Sequence, residues 1–245
     1  MEWRDEALLL SLRPHGESAA IIEVLTAAHG RHLGLVRGGG SRRYAPILQV
    51  GAQLAVEWRA RSSEQLGQFR VEPVKSRAAV LEDPFALAGL ASLCAMLRFC
   101  LPERLPYPQL YARSQQVLDL QAGGKTWLPD YLRWEMTLLE DIGFGLDLSR
   151  CAVTGSRDDL AYVSPRTGRA VSRKGAGEWA DRLFPLPQSL LGQGPADWHE
   201  ALQALRITGH FLSREVDATQ GLSALPDARL RLLSRLEREA RAAGQ

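Results

Sequence analysis

The 245-residue chain is poor in several things, and each shortage removes a class of protein. It has three cysteines (Cys94, Cys100 and Cys151), too few for a disulfide framework and in keeping with a reducing compartment. No apolar run approaches the ~18 residues of a membrane span. The opening MEWRDE is not the basic start of a secretory signal, so the expectation is a cytoplasmic protein with no membrane part. Lysine is almost missing: Lys75, Lys125 and Lys174 stand among 30 basic residues. Arginine, the better bidentate partner for phosphate, therefore carries nearly all the positive charge.

Catalytic patterns are equally scarce. Gly123-Gly124-Lys125-Thr126 ends like a phosphate-binding loop, but the first glycine of that motif would fall on Asp119, and Pro129 stops a long helix from following. His199-Glu200 starts like a zinc-protease helix, yet position 203 is Gln203. There is no GxSxG, and His15, His29, His32, His199 and His210 form no acid–base set by spacing. Neither an enzyme nor a cofactor is expected. Cys94 and Cys100 read as buried small hydrophobes in an apolar helix. Cys151-Ala-Val-Thr154 stands where a C-x₂-C knuckle would sit, but one soft ligand does not make a tetrahedral zinc site, so no metal is expected.

What is present is a concentrated basic region on a strand-like background. From residue 31 to 61 there are six arginines (Arg31, Arg37, Arg42, Arg43, Arg59, Arg61) against one carboxylate, Glu57, in a chain of net charge +2. Leu-, Ile- and Val-rich stretches at Ala7–Leu12, Ala19–Ala28, Arg31–Arg37, Ile47–Arg59 and Gly67–Val74 alternate with turn residues and predict five strands. With no helix-length gap between the first three, they predict a small barrel of the OB type over residues 1–80. Helical periodicity follows at Phe85–Leu101, with Asp83 placed to cap and Pro84 in the first turn, then near Gln109–Leu120, Asp130–Ile142, Lys174–Leu183, Ala196–Val216 and Pro226–Ala242. The fold class is α+β: a barrel, then a helical domain over 81–245 carrying a small irregular insert at about 148–173.

An arginine cluster around glycine-rich turns suits a phosphate backbone. The candidate DNA contacts are Arg31, Arg37, Arg42, Arg43, Arg59 and Arg61, with Arg31 displayed by the His29-Gly30 turn. The Gly38-Gly39-Gly40 loop is expected to be flexible and to let its backbone approach a phosphate. Tyr44 and Trp58 are candidates for base stacking, although lone aromatics in a small barrel more often belong to its core. The residues alone leave open an RNA-binding barrel, or an adaptor whose basic surface holds an acidic protein.

The ordered series Leu10-x-x-Arg13-x-x-Gly16-Glu17-Ser18, Leu25-Thr26-x-x-His29-Gly30-Arg31, Leu35-Val36-Arg37-Gly38 and Ser41-Arg42 resembles the N-terminal domain of the RecO family of bacterial recombination mediators. LQVGAQLAVEWRARSSEQLG and a helix opening on DPFAL continue the likeness along nearly the whole chain. The resemblance implies an OB-fold joined to a helical domain, and binding of single- and double-stranded DNA with annealing of complementary strands. It also implies contacts with RecR and with the acidic tail of single-strand-binding protein, and a place beside RecF and RecA in recombination. Tyr111, Arg113 and Arg133 are candidates for the protein contacts. Many family members hold zinc in the insert with four cysteines. Here the insert is a degenerate, cysteine-depleted zinc-ribbon-like element: Cys151 remains, Thr154 replaces a second cysteine, and Ser164 and Thr167 flank the expected distal pair. Packing of Tyr162, Val163 and Val171 is expected to hold it without metal.

Overall fold

The computed structural model describes residues 1–62, 65–193, 197–220 and 224–243. They pack as two compact units, 1–125 and 126–245. In the first, β1 (Glu2–His15), β2 (Ala19–Thr26), β3 (Gly30–Val36), β4 (Gln53–Arg59) and β5 (Gln68–Lys75) close into a barrel in the order β1-β2-β3-β5-β4. Closure depends on the length of β1, which pairs antiparallel with both β2 and β4: Leu9 lies opposite Val24, and Ala7 opposite Leu54. The register shifts between Leu9 and Ser11, a bulge of the kind that bends a strand around a barrel. Leu9, Ile22, Val24, Leu54, Val56 and Phe69 fill the interior. Gly34 is required there, because a Cβ would sit 2.5 Å from the Phe69 ring.

The strand expected from Ile47 begins only at Gln53. Ile47 and Leu48 instead donate their backbone N–H groups to the Tyr44 carbonyl in a turn, and Leu48 drops into the barrel core. Their apolar side chains lend the stretch a strand-like pattern, but they plug the barrel end.

Helices α1 (Pro84–Cys100) and α2 (Pro108–Ala122) complete the first unit. Asp83 caps α1 as expected, its Oδ1 accepting from the N–H groups of Phe85 (2.8 Å) and Ala86 (3.2 Å). The Gly123-Gly124-Lys125 stretch ends α2: Gly123 is its C-cap, Gly124 is left-handed (φ 61°), and the Lys125 N–H returns to the Leu120 carbonyl. Two ionic anchors bind helix to barrel. Glu23, buried on β2, accepts from Arg31 of β3, from Nε of Arg98 on α1 (2.6 Å) and from the Ser11 hydroxyl (3.2 Å). Arg77, also buried, donates to Asp119 (2.8 Å), the Gly51 carbonyl (2.7 Å) and Gln115 (2.6 Å).

The second unit contains α3 (Leu128–Asp141), β6 (Leu160–Val163), β7 (Ala170–Ser172), α4 (Arg173–Ala176), β8 (Phe184–Pro185), α5 (Trp198–Gln220) and α6 (Asp227–Ala243). The expected helix near 174–183 is a single α turn followed by a 3₁₀ segment, because Gly177 takes φ 49° and breaks the helical path. The insert is a three-stranded sheet, β7-β6-β8, with Val163 and Val171 buried and Tyr162 half-buried. At the heart of the helices lies a buried ion pair. Arg229 Nε and Nη2 bind the Glu135 carboxylate at 2.7 and 2.9 Å, and Tyr131 and Thr208 donate to the same carboxylate.

Removing one partner of such a pair leaves a bare charge in an apolar interior, at a cost of about 3–5 kcal/mol. Arg229→Ala should lower the unfolding free energy by about that much in urea titration, whereas the double change Glu135→Leu with Arg229→Met should recover most of the loss.

Candidate nucleic-acid interface

β3 and β5 run parallel and meet at one register pair, Leu35 with Gln68, reinforced by the Leu35 N–H to Gly67 carbonyl bond of 3.0 Å. Around this junction opens a groove of about 1000 Å³ lined by Arg37, Tyr44, Arg59, Arg61, Leu66 and Arg70, among others. Arg37, Arg61 and Arg70 are exposed, and Tyr44 is half-buried on the groove wall. Arg42 and Arg43 are exposed on the turn that leads into Tyr44. Among the described residues, Arg37, Arg42, Arg43, Arg61 and Arg70 enter no ion pair, so their charge is presented outward. Arg70 was not among the residues expected from sequence. Its signal was the exposed alternation of Gln68, Arg70 and Glu72 along β5.

Three expected residues are placed otherwise. Arg31 points to the outer face of the barrel, where it binds Glu23 and donates Nε to the Leu101 carbonyl at 3.0 Å. It is a structural cation, and its side chain is only 15% exposed. Trp58 belongs to the core at 3% exposure; its Nε1 donates to the Leu66 carbonyl and Gly67 packs on its indole, so its faces are not open for stacking. Arg59 reaches the groove, but Glu2 (2.9 Å) and Glu57 (2.6 Å) hold its guanidinium and cancel much of its field.

The Gly38–Gly40 loop is also tied down. Gly39 is buried, with its N–H on the Val36 carbonyl, and Gly40 N–H binds the Ser18 carbonyl at 2.9 Å. A Cβ at Gly39 would lie 2.9 Å from Ala20 Cβ. The glycines serve close packing, and the side chains of Arg37, Arg42 and Arg43 carry the basic surface.

Tyr111 and Arg113 lie on α2, the first half-buried with its hydroxyl bound by Gln115 (2.9 Å), the second exposed. Arg133 is exposed on α3 and pairs with Asp130 at 2.9 Å.

In the insert, the partners of Cys151 are Thr154 and Ser172, not Ser164 or Thr167. Cys151 Sγ accepts from the N–H of Thr154 (3.4 Å) and from the N–H (3.2 Å) and hydroxyl (3.3 Å) of Ser172. Thr154 and Ser172 hydroxyls lie 3.5 Å apart, and a Cβ on Gly175 would be 2.8 Å from the sulfur. The spacing C-x₂-T and S-x₂-G thus brings four positions together, but they offer one thiol and two hydroxyls. That donor set does not suit tetrahedral zinc, and among the described residues no group of three His, Cys, Asp or Glu side chains converges as metal ligands. Burial pushes the Cys151 thiol up, but the bonds from Ser172 and Thr154 outweigh it and bring it down to about 6. Cys94, enclosed in α1, is pushed up by burial to about 12.

A five-stranded closed barrel in this order, with an arginine-lined groove at the β3–β5 junction, defines an OB-like barrel protein with a basic ligand face. Two family models match the chain: Recombination protein O N terminal over residues 1–77 and Recombination protein O C terminal over residues 81–223. Proteins named DNA repair protein RecO are similar along nearly their whole length. That of Cereibacter sphaeroides is 63% identical over 239 residues (97% of this chain, 99% of the relative). That of Jannaschia sp. is 57% identical over 242 residues (98% of each), and that of Dinoroseobacter shibae 55% over 239 (97% and 99%). The chain belongs to the RecO family, and its role is in DNA repair.

The two kinds of arginine separate in a stability measurement. Arg31→Ala should cost about 1–3 kcal/mol by leaving Glu23 to Arg98 and Ser11 alone and taking the donor from the Leu101 carbonyl, while Arg61→Ala should stay within about 0.5 kcal/mol of the parent. Thiolate absorbance should report Cys151 ionising with a midpoint near 6, and Ser172→Ala should move that midpoint upward. Because the folded thiol lies below its unfolded value of ~8.5, its contribution to stability is complete above that value and is lost as pH falls through about 6.

Proposed function

We propose that the chain binds single- and double-stranded DNA through the groove arginines, anneals complementary strands, and helps load recombinase RecA on DNA coated by single-strand-binding protein, with no catalytic step of its own. The observation that carries this reading is that Arg37, Arg61 and Arg70 line one groove of an OB-like barrel, with Arg42 and Arg43 exposed on the turn leading into Tyr44 on its wall, all five outside any ion pair among the described residues. Such a surface neutralises phosphates on both strands, lowers their repulsion and releases counterions; it carries no base code. Strands held close in this way pair by their own complementarity.

RecR, RecF and the acidic tail of single-strand-binding protein are the partners this role calls for. Tyr111 and Arg113 on α2, and separately Arg133 on α3, are the candidates for partner contacts. The cytoplasm and its nucleoid are the compartment in which such a protein works. No helix among the described residues is long and apolar enough to cross a membrane.

The test is the double variant Arg37→Glu with Arg42→Glu, titrated with single strands of unrelated sequence at several salt concentrations. Affinity should fall for every sequence, and the log–log salt slope should shrink by ~0.7 for each phosphate no longer neutralised. Strand annealing followed by fluorescence should slow in parallel, with and without single-strand-binding protein on the DNA. An unchanged slope and unchanged annealing would remove the groove from DNA binding. Equal displacement by matched RNA would widen the ligand to nucleic acid in general.

A further inference from the structure

Beside the arginine groove, and sharing Met1 and Glu2 with it, lies a second cavity of about 450 Å³ lined by Trp3, His29, His32, Trp58 and Arg104. Its size falls in the ~300–1,000 Å³ range of small-molecule sites. The walls are near-parallel rings: His29 stacks on Trp3 at 4.2 Å and 16°, and Trp58 lies 5.7 Å from Trp3 at 20°. His32 stands edge-on to these rings, at 78° to Trp3 and 74° to Trp58. Trp58, whose faces are covered in the core, serves here as backing; Trp3 and His29 are the half-buried rings that face the opening.

Two features are out of place in a mere packing defect. His32 is only 6% exposed, yet its Nδ1 has no hydrogen-bond partner, a state that folded proteins avoid. Burial first, then the charges of Arg104 and His29, lower its pKa to about 4 against the raising effect of the His29 and Gly30 backbone, so at neutral pH the ring is neutral. Arg104 sits at the rim in a left-handed conformation (φ 64°) rarely adopted outside glycine. It is held there because the Arg104 N–H binds the Arg31 carbonyl at 2.8 Å, and Leu105 passes so close over Gly30 that a Cβ would collide with its backbone. A half-buried aromatic stack, a neutral imidazole behind it and a guanidinium at the mouth match a planar heterocycle with a phosphate attached.

We propose that this cavity seats one unstacked nucleobase of a single DNA strand whose phosphates follow the arginine groove. The base stacks on the Trp3–His29 pair, over His32 in the wall behind, and its phosphate meets Arg104. The inference rests on DNA binding by the groove and adds to it a means of telling single strands from duplex, in which every base is already stacked.

The experiment compares the full-length protein and its His29→Ala and His29→Trp variants, each confirmed folded by thermal unfolding, on three ligands: a single strand, the same strand with abasic sites, and a duplex. His29→Ala should weaken single-strand binding about tenfold, and leave duplex affinity and the salt slope unchanged. His29→Trp should restore or tighten it, and on the abasic strand all three proteins should bind alike. Salt-dependent binding that ignores both His29 and abasic sites overturns this inference alone, as does equal weakening on single strand and duplex. Absence of salt-dependent binding to any strand overturns the groove reading and this one with it.

Discussion

The carboxylate of Glu23 is the constraint on which the first unit depends. A buried charge is tolerated only when paired and fully hydrogen-bonded. Glu23 meets that demand by drawing Arg31, Arg98 and Ser11 to one point, which locks β1, β2, β3 and α1 together. Arg31 then extends the clamp: its second bond, to the Leu101 carbonyl, fixes the end of α1, and the chain beyond it bridges back to β3 at Glu103. That return path sets Arg104 over the aromatic cavity. The rim of a candidate ligand site thus descends from an ion pair on the opposite face of the barrel wall.

Arginine does two kinds of work in this protein, and burial divides them. Arg31, Arg77 and Arg229 are structural, each bridging segments distant in the chain through several directed bonds. Their planar forks make this possible where a lysine would supply a point charge. Arg37, Arg42, Arg43, Arg61 and Arg70 point outward and leave their charge for a ligand. A chain with three lysines must use one residue type for both tasks, so counting positive charge along the sequence overstates the binding surface.

Much of the architecture was legible because local chemistry and global fold agree. Turn glycines and alternating apolar residues marked β2, β3 and β5, and Asp83-Pro84 marked the start of α1. The Arg37–Arg43 cluster was visible as charge density. Arg31 was misread because charge density says nothing of which strand face a residue takes. The corrective signal was Glu23, a lone carboxylate inside AIIEVL, which as a buried residue requires a cation nearby. Leu48 misled for the opposite reason, since an apolar plug in a turn has the same composition as a strand. Trp3, His29 and His32 come together only through the β1–β4 and β2–β3 registers, which no short-range pattern encodes. The Cys151–Ser172 pairing was hinted at by two copies of an x₂ spacing, but one thiol, two hydroxyls and a glycine leave that repeat with little contrast.

Closure of the barrel carries a consequence for how peptides can be received. Each strand has neighbours on both sides, and β3, beyond its single pair with β5, meets Glu103 again at Arg31. In the insert sheet the outer strands are three-residue β7 and two-residue β8, the latter carrying Pro185. Neither gives a visiting strand a ladder long enough to extend. Strand addition, which reads a partner through its main chain, therefore has little room on the insert sheet and on most of the barrel. Recognition of a partner then falls chiefly to side chains in grooves and on helix faces, where a change in its sequence alters recognition directly.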